Sequence, residues 1–268
     1  MSGEDRPLAQ MMNQTASIGF HEKADIKVVL LVGGMGTRLR SVLPSKPKAL
    51  ASVGSGSFLE LLVRQLRNQG IRRLVLCTGY RAEQIAQELG NGWAAGLAIE
   101  YSKEPSPLGT AGAVKLARQY LRHEPEFLAM NGDSFLEIDF QHLIEFHRAH
   151  AGVASMAVLR VPDASRYGTV QVGADGRVIG FAEKTGKSSP GLINAGVYVF
   201  NRALFDHIPE GPSSLERDVF PRLLDHGMYA LELHGMFIDI GTPEDYARAQ
   251  SISDRLYQAA SCGQQSKA

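Results

Sequence analysis

The chain has 268 residues, 44% of them hydrophobic and 21% charged, which is enough for one sizeable core. Lys+Arg and Asp+Glu each number 28, so the formal charge is zero and no long-range field draws the chain to nucleic acid or to an anionic membrane. The two cysteines, Cys77 and Cys262, form no C-x-x-C pair, and no apolar run approaches ~18 residues, which argues against a zinc ribbon and a spanning helix and for a reducing, cytoplasmic setting.

Residues 1–24 are polar and without period, and read as a mobile leader with no assigned role. Five apolar residues, Val28 to Val32, then fit a strand buried on both faces. Gly33, Gly34 and Gly36 break the run, and Thr37, Arg38, Lys46 and Lys48 follow within one short segment. Strand, glycine loop and cations in that order suggest a phosphate site, because glycines let successive backbone N–H groups turn toward one anion. A tight turn after a core strand would account for the glycines alone. The third glycine of G-x-G-x-x-G is replaced by Leu39, and no G-x-x-x-x-G-K-[S/T] string begins at Gly33 or Gly34, so neither well-known phosphate loop is present.

Further along, Ser57 and Glu60 form an S-x-x-E capping box ahead of a helix that ends at Gly70. Leu74 to Cys77 reads as a strand, Ile85 and Leu89 mark a short helix closed by Gly90, and Leu97, Ile99 and Tyr101 alternate as another strand. The repetition implies βαβ units, hence an α/β fold with a mostly parallel sheet flanked by helices. PLGTAGA, Pro107 to Ala113, opens an amphipathic helix, and Phe127 to Met130 is a strand that ends at Asn131-Gly132-Asp133. An acid just past a strand's carboxyl end lies in the ligand crevice, with capping of the next turn as the plainer alternative. Phe140, Leu143, Ile144 and His147 share a helical face, with His147 bordering the core and His142 and His150 solvated.

From Val153 the pattern changes to strands and turns, with a hairpin across Ala174-Asp175-Gly176. Asn194 and Gly196 share one face of the strand in GLINAGVY. Ser213 and Glu216 form a second expected capping box. Thr242 caps a helix with Pro243 at its first position, just after Asp239.

GGMGTRLRSVLPSKPKAL resembles the signature of the sugar-1-phosphate nucleotidyltransferases, a long ordered motif from which Ser41-Val42 and Ala49 depart while Arg38 and Lys48 keep their places. The resemblance runs from about Ile26 to Tyr246. It implies a Rossmann-like sheet of the nucleotide-diphospho-sugar transferase type with a small β-hairpin sugar-binding part. It also implies one domain over 25–256, with 25–150 mainly nucleotide-binding, 151–256 mainly sugar-phosphate-binding, and a polar tail over 257–268. For the nucleotide it implies Leu31, Gly33, Gly34, Gly36, Thr37, Arg38, Lys48, Gly109, Thr110 and Asp133. For the sugar phosphate it implies Asn131, Tyr167, Gly168, Glu183, Lys184, Asn194 and Gly196. Asp133 and Asp239 would hold Mg2+, and Arg38, Lys48, Asp133, Lys184 and Asp239 would be catalytic. Neighbouring strand residues point to opposite faces, so Glu183 and Lys184 enter one pocket together only if the strand bends or ends there.

The implied reaction makes physical sense of these groups. A sugar 1-phosphate has its second pKa near ~6, so its attacking oxygen is largely ionised near neutrality and needs no general base. Charge opposes the reaction, since two unit charges ~4 Å apart repel by roughly 4 kcal/mol at an effective dielectric of ~20. Arg38, Lys48, Lys184 and a divalent ion would relieve it. PLGTAGA, RYGTV, GLINAGVY and FIDIGTPEDY are most similar to the guanylyltransferases of the family. They imply GTP with D-glycero-α-D-manno-heptose 1-phosphate, or mannose 1-phosphate as the alternative, and GDP-sugar with pyrophosphate as products. A non-catalytic nucleotide-sugar-binding regulator is the alternative from another class, but Arg38, Lys48 and both aspartates are all retained. Members of the family often form dimers or tetramers, and the sequence does not choose between a monomer and a homo-oligomer.

Overall fold

A computed structural model describes residues 25–92, 95–182, 186 and 188–261. In chain order the strands and helices are β1 (Lys27–Leu31), β2 (Ser52–Val53), β3 (Gly56–Ser57), α1 (Phe58–Asn68), β4 (Arg73–Thr78), α2 (Ala82–Leu89), β5 (Ala98–Lys103), α3 (Gly109–Ala117) and β6 (Glu126–Asn131). There follow β7 (Ser134–Leu136), α4 (Phe140–Ala149), β8 (Ala154–Val161), β9 (Thr169–Val172), β10 (Val178–Ala182) and β11 (Gly191–Asn201). The last are α5 (Phe220–Leu223), β12 (Met228–Leu233), β13 (Phe237–Asp239), α6 (Pro243–Ser251) and α7 (Ser253–Ser261).

A nine-stranded sheet in the order β10-β9-β11-β6-β1-β4-β5, with β8 also on β11 and β12 on β8, carries helices on both faces. The four strands β6, β1, β4 and β5 are parallel, as the βαβ pattern predicts, and β11 runs antiparallel to β6. Val28, Val29 and Leu30 are all fully buried, because side chains that alternate across the sheet meet a core on either side. Val28 and Leu30 pack with Leu59, Leu62, Phe140 and Leu256, while Val29 packs with Ala113, Val114 and Phe220. Among the described residues no helix is long and apolar enough to cross a membrane.

The first capping box forms as expected: Ser57 Oγ accepts from Glu60 N at 3.1 Å and Glu60 Oε2 accepts from Ser57 N at 2.8 Å. The second is displaced by one residue. Ser213 is held by α3, its carbonyl accepting from Ala111 N and Gly112 N, so the turn Leu215–Val219 is capped by Ser214, which accepts from Arg217 N. The 174–176 hairpin is β9–β10, and it forms an edge of the main sheet because β9 also pairs with β11. The expected tail begins inside α7, where Leu256 and Ala260 are buried and Ala260 O accepts from Asn68 Nδ2.

His147 is buried as expected, its Nδ1 2.9 Å from Ser155 Oγ. His150, expected in solvent, instead packs between Phe146 and Tyr229, with ring centroids 4.2 and 4.6 Å away. Burial depresses the pKa of His147 below its ordinary 6.5, with Glu126 opposing and Arg148 and His150 assisting. Folding therefore favours the neutral ring, and its contribution is present above pH 6.5 and lost as pH falls through the depressed value. His147→Gln is expected to show a smaller drop in Tm between about pH 8 and pH 5 than the wild type. Equal drops in the two proteins would remove His147 from the acid response.

Candidate functional site

β1 and β6 are parallel neighbours in register, Leu31 beside Asn131, so both chains leave the sheet at one place. After Asn131 the chain turns at Gly132, whose N–H donates to Leu31 O, and delivers Asp133. The short strand β7 then pairs antiparallel with β13, setting Ser134 opposite Asp239, and Ile240 N donates to Asp133 O at 2.9 Å. Two aspartates far apart in sequence are thereby brought to one spot.

Lys48 lies between them. Its Nζ is 2.7 Å from Asp133 Oδ2 and 3.9 Å from Asp239 Oδ1, and its side chain is only 12% exposed. The longer distance is an ion pair but no hydrogen bond, which leaves Asp239 Oδ1 buried without a hydrogen-bond partner. Burial, and then the charge of Asp133, raise the pKa of Asp239 above its ordinary 3.8, while Lys48 opposes them. Arg38 Nη2 and Asp239 Oδ1 both flank Gly241: a Cβ there would meet them at 3.4 and 2.7 Å. Lys46 is exposed, so of the two lysines in PSKPK the structure brings Lys48 to the aspartates.

The glycines of the loop have separate uses. Gly36 is left-handed (φ 56°), and a Cβ on it would lie 3.0 Å from Lys48 Cβ, so the bare position lets the lysine segment close in. A Cβ on Gly34 would meet nothing within 4 Å among the described residues. A Cβ on Gly33 would stand 2.5 Å from Glu104 Oε1. Buried Leu39 anchors the loop, leaving Thr37 and Arg38 exposed. Arg81 pins its far end: held left-handed at φ 54°, it donates to Ser45 O and lies over the Tyr80 ring, with Arg40 on the same ring.

Beside this cluster opens a cleft of about 280 Å3, lined by Leu31, Gly33, Gly34, Gly109, Thr110, Asn131 and Asp133 from the expected set. Pro107 and Ala113, the two ends of the PLGTAGA segment, complete it with Met35, Cys77 and Glu104, and of these Cys77 and Glu104 escaped the sequence reading. Glu104 matters most. Its Oε2 accepts from Leu108 N at 2.9 Å, and burial raises its pKa above the ordinary 4.5. A Glu just before a Pro-rich turn carries no signal of its own, and only its place at the end of β5 reveals it. Cys77 is fully buried, and the same desolvation pushes its thiol far above its normal range. The hydroxyl of Thr110 already accepts from Leu215 N at 2.8 Å and donates to Glu216, which ties α3 to the 215–219 turn.

On the sugar side, Tyr167 is partly buried with its ring edge-on to Phe237, and Gly168 follows it. Asn194 Nδ2 donates to Tyr198 Oη at 2.8 Å and its Oδ1 accepts from Gly196 N at 2.9 Å, so both groups already have partners within β11. Gly196 is left-handed (φ 75°), and a Cβ there would lie 2.8 Å from Asn131 Nδ2; it makes room for Asn131, whose Oδ1 is buried without a hydrogen-bond partner. β11 carries a register shift between Asn194 and Tyr198, the stretch that holds Gly196. Glu183 and Lys184 lie outside the described residues.

The donor set fits a hard divalent cation. Two carboxylates face each other across Lys48, and one buried oxygen lacks a hydrogen-bond donor. Among the described residues no cluster of three or more His, Cys, Asp or Glu suggests a closed metal cage. Mg2+ commonly takes one or two carboxylates and completes its shell with phosphate and water.

Comparison with known proteins bears on the family. A family model described as nucleotidyl transferase matches residues 27–254. The chain is similar to the mannose-1-phosphate guanylyltransferase catalytic subunit beta of Drosophila pseudoobscura pseudoobscura, 37% identical over 223 residues that cover 82% of this chain and 60% of that one. It is likewise 37% identical over 230 residues to mannose-1-phosphate guanylyltransferase of Mycobacterium tuberculosis, covering 84% and 64%. The chain thus spans about 60% of the length of these relatives. Crystalline HddC from Yersinia pseudotuberculosis, solved with GMP-PN, superposes with a TM-score of 0.76 at 32% identity, covering 84% of this chain and 98% of that one. With the sheet, the glycine loop and the Lys48–Asp133–Asp239 cluster lying inside the matched span, the chain belongs to the nucleotidyl transferase family.

Proposed function

We propose that the chain transfers a guanylyl group from GTP to a sugar 1-phosphate, giving a GDP-sugar and pyrophosphate. The convergence of Arg38, Lys48, Asp133 and Asp239 beside the cleft carries this reading. Lys48 supplies a point charge at the reacting phosphates, and Arg38 a planar fork for the leaving pyrophosphate. Asp133 and Asp239 would hold Mg2+, which supplies charge neutralisation at the phosphates. No side chain is needed as base, because the attacking phosphate oxygen is already ionised near neutrality. The guanine nucleotide is in line with HddC, solved with GMP-PN; the favoured acceptor, from the sequence resemblance, is D-glycero-α-D-manno-heptose 1-phosphate, and the relatives named mannose-1-phosphate guanylyltransferases support mannose 1-phosphate as the alternative. The test supplies GTP, ATP, CTP and UTP in turn with heptose, mannose or glucose 1-phosphate and measures pyrophosphate release with Mg2+. Silence with every pair would refute the activity.

Glu104 supports guanine among the bases. Guanine presents two adjacent donors, N1–H and N2–H, which a carboxylate can accept together, whereas a Gln amide offers one acceptor and one donor. Glu104→Gln is therefore expected to lower kcat/KM for GTP by about 10- to 100-fold and to raise ATP or UTP relative to it. An unaltered ranking of the four nucleotides would take base recognition away from Glu104.

A further inference from the structure

The connection between β8 and β9 carries Tyr167 and Gly168, and α6 starts four residues after Asp239. Arg166 joins the two. Its Nη1 donates to Asp245 Oδ1 at 3.3 Å, its Nη2 donates to Asp245 Oδ2, and Nη2 also reaches Thr242 Oγ1 at 3.4 Å. Asp245 is buried and further held by Thr242, whose hydroxyl donates to Asp245 Oδ2 at 2.9 Å and accepts from Asp245 N at 3.2 Å. A second contact runs beside the first, the Tyr167 ring lying 6.4 Å from Phe237 on β13. The connection is also fixed from behind, since Ala164 N donates to Ser189 O and Tyr167 N to Ala164 O.

We infer that the Arg166–Asp245 pair is a clasp that positions the sugar-phosphate connection against the carboxylate of Asp239, coupling sugar-phosphate binding to metal binding. The inference rests on the proposed function above. Arg166 is a positioning residue: its fork is taken up by Asp245 and Thr242, and it acts through what they hold. A bidentate guanidinium–carboxylate pair fixes orientation as well as distance, which lysine's single ammonium cannot reproduce. The Thr242–Asp245 turn lies two peptide units past Ile240, whose N–H donates to Asp133 O, so displacement of the clasp shifts Asp239 relative to Asp133. Coupling of this kind is reciprocal, so sugar phosphate tightens the divalent ion as the ion tightens sugar phosphate.

The test compares Arg166→Gln, Arg166→Lys and the double variant Arg166→Gln/Asp245→Asn, which leaves no unpaired buried carboxylate, with the wild type. KM for each substrate is measured, together with Mn2+ affinity by isothermal titration calorimetry with and without sugar 1-phosphate. Expected is a rise of about tenfold in KM for sugar 1-phosphate in Arg166→Gln, a smaller rise in Arg166→Lys, and KM for the nucleotide within about twofold. The gain in Mn2+ affinity on adding sugar phosphate should disappear in the double variant. A lowered Tm with an unchanged KM ratio and an unchanged Mn2+ response would overturn the clasp and leave a purely structural ion pair. If the wild type turns over no substrate pair, the functional reading falls by itself. The clasp is then judged on intrinsic Mn2+ affinity, and equal values in the wild type and the double variant overturn it.

Discussion

Lys48→Met should lower kcat by roughly 100- to 1,000-fold, the usual loss when one preorganised charge leaves a phosphoryl or acyl transfer site, while tightening Mn2+ binding. The two effects have one origin. Lys48 stands 2.7 Å from Asp133 and 3.9 Å from Asp239, so it occupies the same carboxylate oxygens that a divalent ion needs. Methionine keeps most of the aliphatic length that packs beneath Gly36 and removes the charge. The carboxylates then face each other uncompensated and take up a divalent ion more readily, but the reacting phosphates lose a cation that no metal replaces. Parallel steady-state kinetics and Mn2+ calorimetry distinguish this from simple misfolding, which would weaken both. Unchanged kcat would transfer the role to the exposed Lys46.

Asp239→Asn should abolish most turnover, by about 100-fold or more, and yet raise Tm near neutral pH. Stability and function part company here because the carboxylate is buried beside a like charge, with one oxygen that accepts no hydrogen bond. Its pKa is raised by burial first and Asp133 second, so folding favours the protonated form. For such a group the favourable contribution is complete below the ordinary value of 3.8 and is lost as pH rises through the raised folded value. Asparagine is never ionised. The variant's advantage in Tm should therefore be small in acid and open as pH climbs through that window. Lys48 keeps its 2.7 Å partner in Asp133, so the substitution strands no buried cation. A variant less stable than the wild type at neutral pH would show that the Lys48–Asp239 attraction outweighs desolvation, and wild-type turnover would remove Asp239 from the site.

Much of this arrangement was legible in one dimension because its causes are local. Five apolar residues in succession fit a strand covered on both sides, and Val28, Val29 and Leu30 are so covered. The Ser57–Glu60 box and the Thr242–Pro243 helix start follow from hydrogen bonds made within three residues, which no distant contact had to arrange. The glycine loop and its cations, Asp133 at a strand end and the resemblance to the sugar-1-phosphate nucleotidyltransferases all came from contiguous strings.

What tertiary structure alone decided involves partners separated by tens of residues. Glu104 becomes a cleft residue only because β5 ends two strands away from β1, and Gly33 has no Cβ to exclude it. The cap falls to Ser214 and not to Ser213, whose carbonyl is bonded to the first turn of α3, and a register shift in β11 falls on the stretch that holds Gly196. The pairing of β7 with β13, by which Asp239 comes to Asp133, depends on chain segments about a hundred residues apart. Local order in the sequence sets which groups stand at the end of each strand. Which of those ends meet, and so which charges are buried together, is set by strand pairing, where the energies belong to contacts between segments and leave no mark in either segment alone.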